Sequence, residues 1–154
     1  MSVKENEMMT TMRLAQRQDL PDLLQLYTFL GDNPIPELDA KLMHLWQTLL
    51  DDPQTAIILA ESQGHGVSTC TLTIIHNLTH DQRPYGIIEN VVTDPRYRRQ
   101  GLGRRVLEEA VRIACENHCY KVLLTTGSKR ESTLRFYREA GFNDQDKTAF
   151  VRWL

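Results

Sequence analysis

Apolar residues recur at helical spacing in two early stretches, Leu20, Leu23, Leu24, Tyr27 and Leu30, then Leu38, Leu42, Leu45 and Leu49. This spacing predicts two amphipathic helices, each burying one face. Asp19 followed by Pro21 marks the start of the first. GDNPIP over residues 31–36 is a loop, and Asp51-Asp52-Pro53 ends the second helix, predicted over 37–50. A short strand over 12–16 precedes both. The pattern then changes to period two over 55–61 and 67–75 around a glycine turn at 64–66, which predicts a β-hairpin. Residues 85–93, YGIIENVVT, are apolar almost throughout, as in a central strand covered on both faces, with Glu89 as the interruption. A helix over 103–117, a strand over 121–126, a helix over 132–140 closed by Gly141 and a last strand over 148–154 complete the reading. The order β-α-α-β-β-β-α-β-α-β, with a βαβ crossover from 85 to 126, predicts an α/β fold: a mixed, mainly antiparallel sheet flanked by helices.

At 154 residues the chain is long enough for one compact domain, so residues 1–154 are expected to form a single domain, with 1–10 as a flexible tail. A content of 41% hydrophobic and 25% charged residues excludes disordered and coiled-coil classes. The formal charge of −2 argues against general nucleic-acid binding. No stretch has the roughly 18 consecutive apolar residues of a membrane helix, and the polar start MSVKENEMMTTMR lacks a signal-peptide core, so no membrane association and a cytoplasmic location are expected. Three cysteines, Cys70, Cys115 and Cys119, are an odd number for a disulfide framework. Cys115, His118 and Cys119 invite a metal reading, but a fourth ligand is missing and burial accounts for small apolar thiols, so no metal is expected.

The chemistry concentrates in DPRYRRQGLGRR, residues 94–105, between the apolar strand and the amphipathic helix. Gly101 and Gly103 leave successive backbone N–H groups able to point at one anion, beside the positive end of the helix dipole. Five arginines among residues 96–105 add charge-assisted donors, and a pyrophosphate suits such a cradle. A solvated glycine turn or a basic nucleic-acid patch is the plainer reading of the same run. The dinucleotide fingerprint fails at Val106, where Gly or Ala is required, and the nucleoside-triphosphate loop lacks its Gly-Lys-Ser/Thr.

Arg98-Arg99-Gln100-Gly101-Leu102-Gly103 resembles the Arg/Gln-x-x-Gly-x-Gly/Ala acetyl-CoA motif of the GNAT N-acetyltransferase superfamily. IENVVTDPRYR before it, CYKVLL after it and FYREAGF at the last helix are similar to GNAT elements in order and spacing. The block from Ile88 to Phe142 looks most like glucosamine-6-phosphate N-acetyltransferases and small bacterial members. The resemblance implies acetyl-CoA as cosubstrate. The strand over 87–93 would bulge, with Val91 and Val92 pairing with the pantetheine amides. Arg98, Arg99, Gln100, Gly101, Leu102, Gly103 and Arg104 would supply the pyrophosphate loop. Arg99 stands where many relatives have Gly. Thr133 stands where Asn is frequent, four residues before Tyr137, and Ser132 or Thr133 is expected to replace that contact.

Acetyl transfer from a thioester needs a neutral amine and a protonated leaving thiolate. The resemblance assigns Tyr137 as the acid at the thiolate, and Glu89, on the strand beside the cofactor, is the candidate base. A core aromatic and an acid paired with an arginine are the structural alternatives for these two. The expected function is an acetyl-CoA-dependent N-acetyltransferase acting directly on a primary amine of a small molecule. A weakly catalytic acetyl-CoA sensor of the same fold is the alternative. The resemblance places the acceptor near residues 31–37 and 76–83, where Asp32, Glu37 and Asp81 suit an ammonium while Arg83 and His80 suit a phosphate. A homodimer is expected, because the last strand carries Phe150, Val151 and Trp153 near a sheet edge.

Overall fold

The computed structural model describes residues 10–154. The chain divides into two compact units, Met1–Leu123 and Leu124–Leu154. The first holds β1 (Thr10–Leu14), α1 (Leu20–Tyr27), α2 (Ala40–Asp51), β2 (Thr55–Ser62), β3 (His65–Ile75), β4 (Tyr85–Thr93) and α3 (Leu102–Glu116), and β5 (Val122–Leu124) begins within it. The second holds α4 (Glu131–Glu139). The sheet runs in the order β1-β2-β3-β4-β5. Its first four strands are antiparallel. Tyr120 N–H donates to the Pro84 carbonyl at 2.9 Å and Gly86 N–H to the Lys121 carbonyl at 3.0 Å. These bonds advance in the same direction along both chains, so β5 starts parallel to β4 after the α3 crossover. The fold is the mixed, mainly antiparallel α/β arrangement that the sequence pattern predicts.

Two apolar layers hold the first unit. On one face Leu20, Leu23, Leu26 and Trp46 pack with Ile57, Leu59 and Val92. On the other, Val106, Leu107 and Ala110 of α3 are buried with Ile58, Cys70 and Leu72. Full burial of one such aliphatic side chain is worth about 1.5–3 kcal/mol, so both helical layers are strongly tied to the sheet.

Several expectations shift at element ends. Asp19 precedes α1 but does not cap it; its buried carboxylate turns back to accept from Gln16 N–H at 2.6 Å and from Arg13 at 2.6 and 2.9 Å. Helix α1 ends at Tyr27 and tightens into a 3-10 turn, Thr28–Leu30, which leaves Leu30 exposed. The second helix starts at Ala40, three residues later than predicted, because the Asp39 carboxylate caps it by accepting from Leu42 N–H at 2.8 Å. Its buried anchor is Trp46, whose Nε1–H donates to the Arg17 carbonyl at 3.0 Å, while Leu38 and Leu45 face solvent.

The last predicted strand is absent: residues 148–154 carry no regular structure, and Phe150 and Trp153 are 94% and 91% exposed. Alternating apolar residues give strand propensity, but a strand forms only where a neighbour takes its backbone groups, and none of the five strands does so here. Thr10 belongs to β1; the rest of the expected N-terminal tail lies outside the described residues.

The Cys-His-Cys cluster has a structural explanation. Cys119 N–H donates to the Ala114 carbonyl and His118 N–H to the Cys115 carbonyl, both at 3.0 Å, with His118 at φ +59°. This is a Schellman ending of α3 with His118 where glycine is usual. Among the described residues no group of three His, Cys, Asp or Glu could hold a metal, and no helix is long and apolar enough to cross a membrane.

Candidate active site

The site begins with a defect in β4. Thr71 of β3 pairs with Glu89, but Thr69 pairs with Val92, so Asn90 and Val91 together oppose Cys70. Asn90 takes φ +54°, and the extra residue makes a β-bulge. Beyond the bulge Asp94 N–H donates to the Val67 carbonyl at 2.9 Å, and Ser68 Oγ donates to the Val92 carbonyl at 3.3 Å. Backbone groups two residues apart on a strand share an edge, so those of Val92 face β3 and those of Val91 face the opposite edge. There β4, nine residues long, outruns the three-residue β5. The Val92 side chain lies in the core and its backbone points at β3, while the Val91 backbone turns to the opposite edge.

The turn that follows is built for an anion. Asp94, buried, accepts from Arg96 N–H at 2.9 Å and pairs with the Arg96 guanidinium, which together hold its carboxyl below the usual range against burial. This fixes the exit from β4. Arg99 at φ +61° and Gly101 at φ +76° then place two left-handed residues around Gln100. Such alternation turns successive N–H groups to one side. Helix α3 starts at Leu102, its first internal bond running from Arg105 N–H to the Gly101 carbonyl at 3.0 Å. The N–H groups of Leu102, Gly103 and Arg104 therefore have no helical acceptor, and no acidic side chain stands in this first turn. A Cβ added at Gly101 meets nothing within 4 Å, so open space lies over the turn. Leu102 contributes only its backbone, its side chain being 3% exposed.

The arginines are less available than their number implies. Arg96 is bound to Asp94, Arg104 to Glu108 at 2.8 Å, Arg105 to the Thr10 carbonyl at 3.2 Å and Arg98 to the Thr93 carbonyl at 3.2 Å. A pair such as Arg104–Glu108, more than half exposed on both sides, is readily exchanged for a phosphate. The run is thus a local donor set around one turn.

Glu89 is exposed on the α1–α2 face, and none of the described ion pairs includes it, which removes the reading of a structural acid paired with arginine. Thr71, directly across from it, lies beside the phenol of Tyr27, whose burial pushes that hydroxyl up. The sequence pattern absorbed Tyr27 into a helix face; its hydroxyl among leucines is the signal that marked it. Cys70 is fully buried, its Sγ donating to the Val106 carbonyl at 3.4 Å, and burial pushes the thiol up to about 12. A thiol held neutral there is no nucleophile.

In the second unit, Thr133 and Tyr137 lie one turn apart on α4 and so share a face. Thr133 Oγ1 accepts from Ser128 Oγ at 3.1 Å, which ties the start of the helix to the loop before it. The Tyr137 ring meets Phe136 at 5.0 Å and Phe142 at 6.5 Å between centroids, both edge to face.

A profile of the acetyltransferase (GNAT) family matches residues 18–142. A solved structure from Agrobacterium tumefaciens str. C58, described as an acetyltransferase, superposes with a TM-score of 0.85 at 38% identity, covering 93% of this chain and 99% of that one. Glucosamine 6-phosphate N-acetyltransferase of Trypanosoma brucei brucei is 33% identical over 93 residues, 60% of this chain and 61% of that protein. N-alpha-acetyltransferase 30 of Xenopus laevis is 26% identical over 152 residues, 97% of this chain and 47% of that protein. The chain thus spans about half to three-fifths of these two relatives. It belongs to the GNAT acetyltransferase family, whose members in general use acetyl-CoA.

Proposed function

We propose that this protein is a cytoplasmic, homodimeric N-acetyltransferase that moves the acetyl group of acetyl-CoA directly to a primary amine of a small molecule. The observation that carries this reading is the continuity of one donor edge. The Val91 backbone freed by the bulge leads through the left-handed turn at Arg99 and Gly101 to the unpaired N–H groups of Leu102–Arg104. An extended amide-bearing arm fits the first part and a pyrophosphate the second. Val91 N–H is also a preorganised donor for the oxyanion of the tetrahedral intermediate.

The amine must shed a proton to attack the thioester carbon; Glu89 takes it, directly or through one water. The carbon–sulfur bond then breaks, the pair goes to sulfur, and Tyr137 supplies the proton that makes the free thiol. A thiol near 8.5 and a phenol near 10 are close enough for that exchange while the phenol stays neutral at rest. The buried Cys70 supports a direct route with no acetyl-enzyme.

The test is thiol release from acetyl-CoA with an amine, amino-acid and aminosugar panel, compared in wild type and Tyr137→Phe. The reading predicts amine-dependent release, with Tyr137→Phe lowering kcat more than it weakens acetyl-CoA binding. Wild-type turnover in Tyr137→Phe, or a kinetically competent acetyl-cysteine, contradicts it. Acetyl-CoA binding with no release for any amine identifies a binding module instead.

A further inference from the structure

We infer that the acceptor is a primary amine on an apolar body, and that the turn after α1 seats that body beside Glu89. The inference rests on the proposed role of Glu89. Its basis is the surroundings of the carboxylate. The 3-10 turn Thr28–Leu30 lies against β4, as does α1 itself. Within this turn Phe29 and Leu30 are 38% and 39% exposed, so apolar surface stands open next to the strand that carries Glu89. Tyr27, one residue before the turn, is buried beside Thr71, and Thr71 is the direct cross-strand partner of Glu89. The exposed turn and the carboxylate are thus carried by neighbouring elements of one face.

Charge argues in the same direction. The loop that continues from the turn, GDNPIPELD, holds three carboxylates and no cation; Lys41 comes only after α2 has begun. Two cations of the β3–β4 loop, Arg83 and His80, are engaged elsewhere. Arg83 donates to the carbonyls of His118 and Cys119 at 3.1 Å each, covering the end of α3. His80 is stacked on Tyr120 with ring centroids 3.9 Å apart and the planes within 7°. An anionic acceptor would meet Glu89 and an acidic loop, with Arg83 and His80 turned to other partners, whereas an ammonium on an aryl or alkyl body matches both the charge and the apolar surface. Glucosamine 6-phosphate, the substrate named for one relative, fits this face poorly.

The experiment measures initial rates at saturating acetyl-CoA with 2-phenylethylamine and with glucosamine 6-phosphate, alongside a titration of acetyl-CoA binding. The expected result is a kcat/KM at least tenfold higher for 2-phenylethylamine. Leu30→Asp, at an exposed position, should raise the KM for 2-phenylethylamine severalfold and leave the acetyl-CoA Kd unchanged. Preference for glucosamine 6-phosphate, or an unchanged KM in folded Leu30→Asp, overturns the inference. Acetyl-CoA binding with acetylation of neither amine overturns the inference and leaves the cofactor reading standing. No acetyl-CoA binding at all overturns both.

Discussion

Tyr137 and Phe142 meet edge to face across the turn that ends α4, their ring centroids 6.5 Å apart. The turn is a Schellman motif: Phe142 N–H donates to the Tyr137 carbonyl at 3.1 Å and Gly141 N–H to the Arg138 carbonyl at 2.9 Å, with Gly141 at φ +95°. The contact between the residue after the glycine and the helix position five residues back is the apolar clasp of that motif, so the helix ending fixes one side of the proposed acid. A Cβ at Gly141 meets nothing within 4 Å, which makes the cost of Gly141→Ala purely conformational, about 1–2 kcal/mol for a left-handed non-glycine residue. The variant should unfold at lower temperature by calorimetry and show a lower kcat with little change in acetyl-CoA affinity. An unchanged kcat would show that the clasp does not position Tyr137.

Asp19 is the second such anchor. Burial pushes its carboxyl up, but Arg13 and Gln16 N–H outweigh burial and hold it below the ordinary range. A carboxyl depressed in the folded state stabilises at pH above its unfolded value of about 3.9, and that contribution is lost as pH falls below it. Asp19→Asn leaves Arg13, whose side chain is only 25% exposed, with Glu61 alone, and should cost roughly 3 kcal/mol at neutral pH. Urea unfolding at pH 7 and at pH 3 checks this: the gap between wild type and variant should narrow at the lower pH.

Arg99 occupies a left-handed position that glycine adopts without strain. Arg99→Gly should therefore raise stability or leave it level, by at most about 1 kcal/mol, because relief of strain is opposed by the greater freedom of the unfolded chain. Acetyl-CoA affinity should survive, since the turn is contributed by backbone N–H groups. A tenfold loss of affinity in a folded Arg99→Gly protein would assign the binding to the guanidinium instead.

Phe150, Val151, Trp153 and Leu154 lie open along an unpaired segment, and the proposed dimer gives that segment a partner. Light scattering at micromolar concentration should return twice the chain mass for wild type and a single chain mass for a Phe150→Glu, Trp153→Glu double variant. A monomeric wild type removes the dimer.

The period-two and period-3.6 patterns placed nearly every element, because each buries one face against the sheet. What they missed has physical causes. Trp46 replaces Leu45 as an anchor because the buried stripe runs through Leu42, Met43, Trp46, Leu49 and Leu50, which leaves Leu45 on the solvent side. Residues 148–154 read as a strand because propensity is local whereas pairing is not. The cradle at Gln100–Arg104 was legible from its glycines, but the direction of the Val91 and Val92 backbones depends on the bulge at Asn90, which only the β3 register reveals. Thr71 was invisible as a site residue because its place across from Glu89 is likewise a matter of register.

The turn from β4 into α3 is the proposed seat of acetyl-CoA, and isothermal titration of acetyl-CoA into wild type and Gly101→Val examines that seat. A branched Cβ at φ +76° strains the turn and fills space that is open beside it. Wild type should bind saturably at one site per chain, and a variant whose circular dichroism shows an intact fold should lose at least tenfold in affinity. No binding by wild type, or equal affinity in folded Gly101→Val, would contradict it.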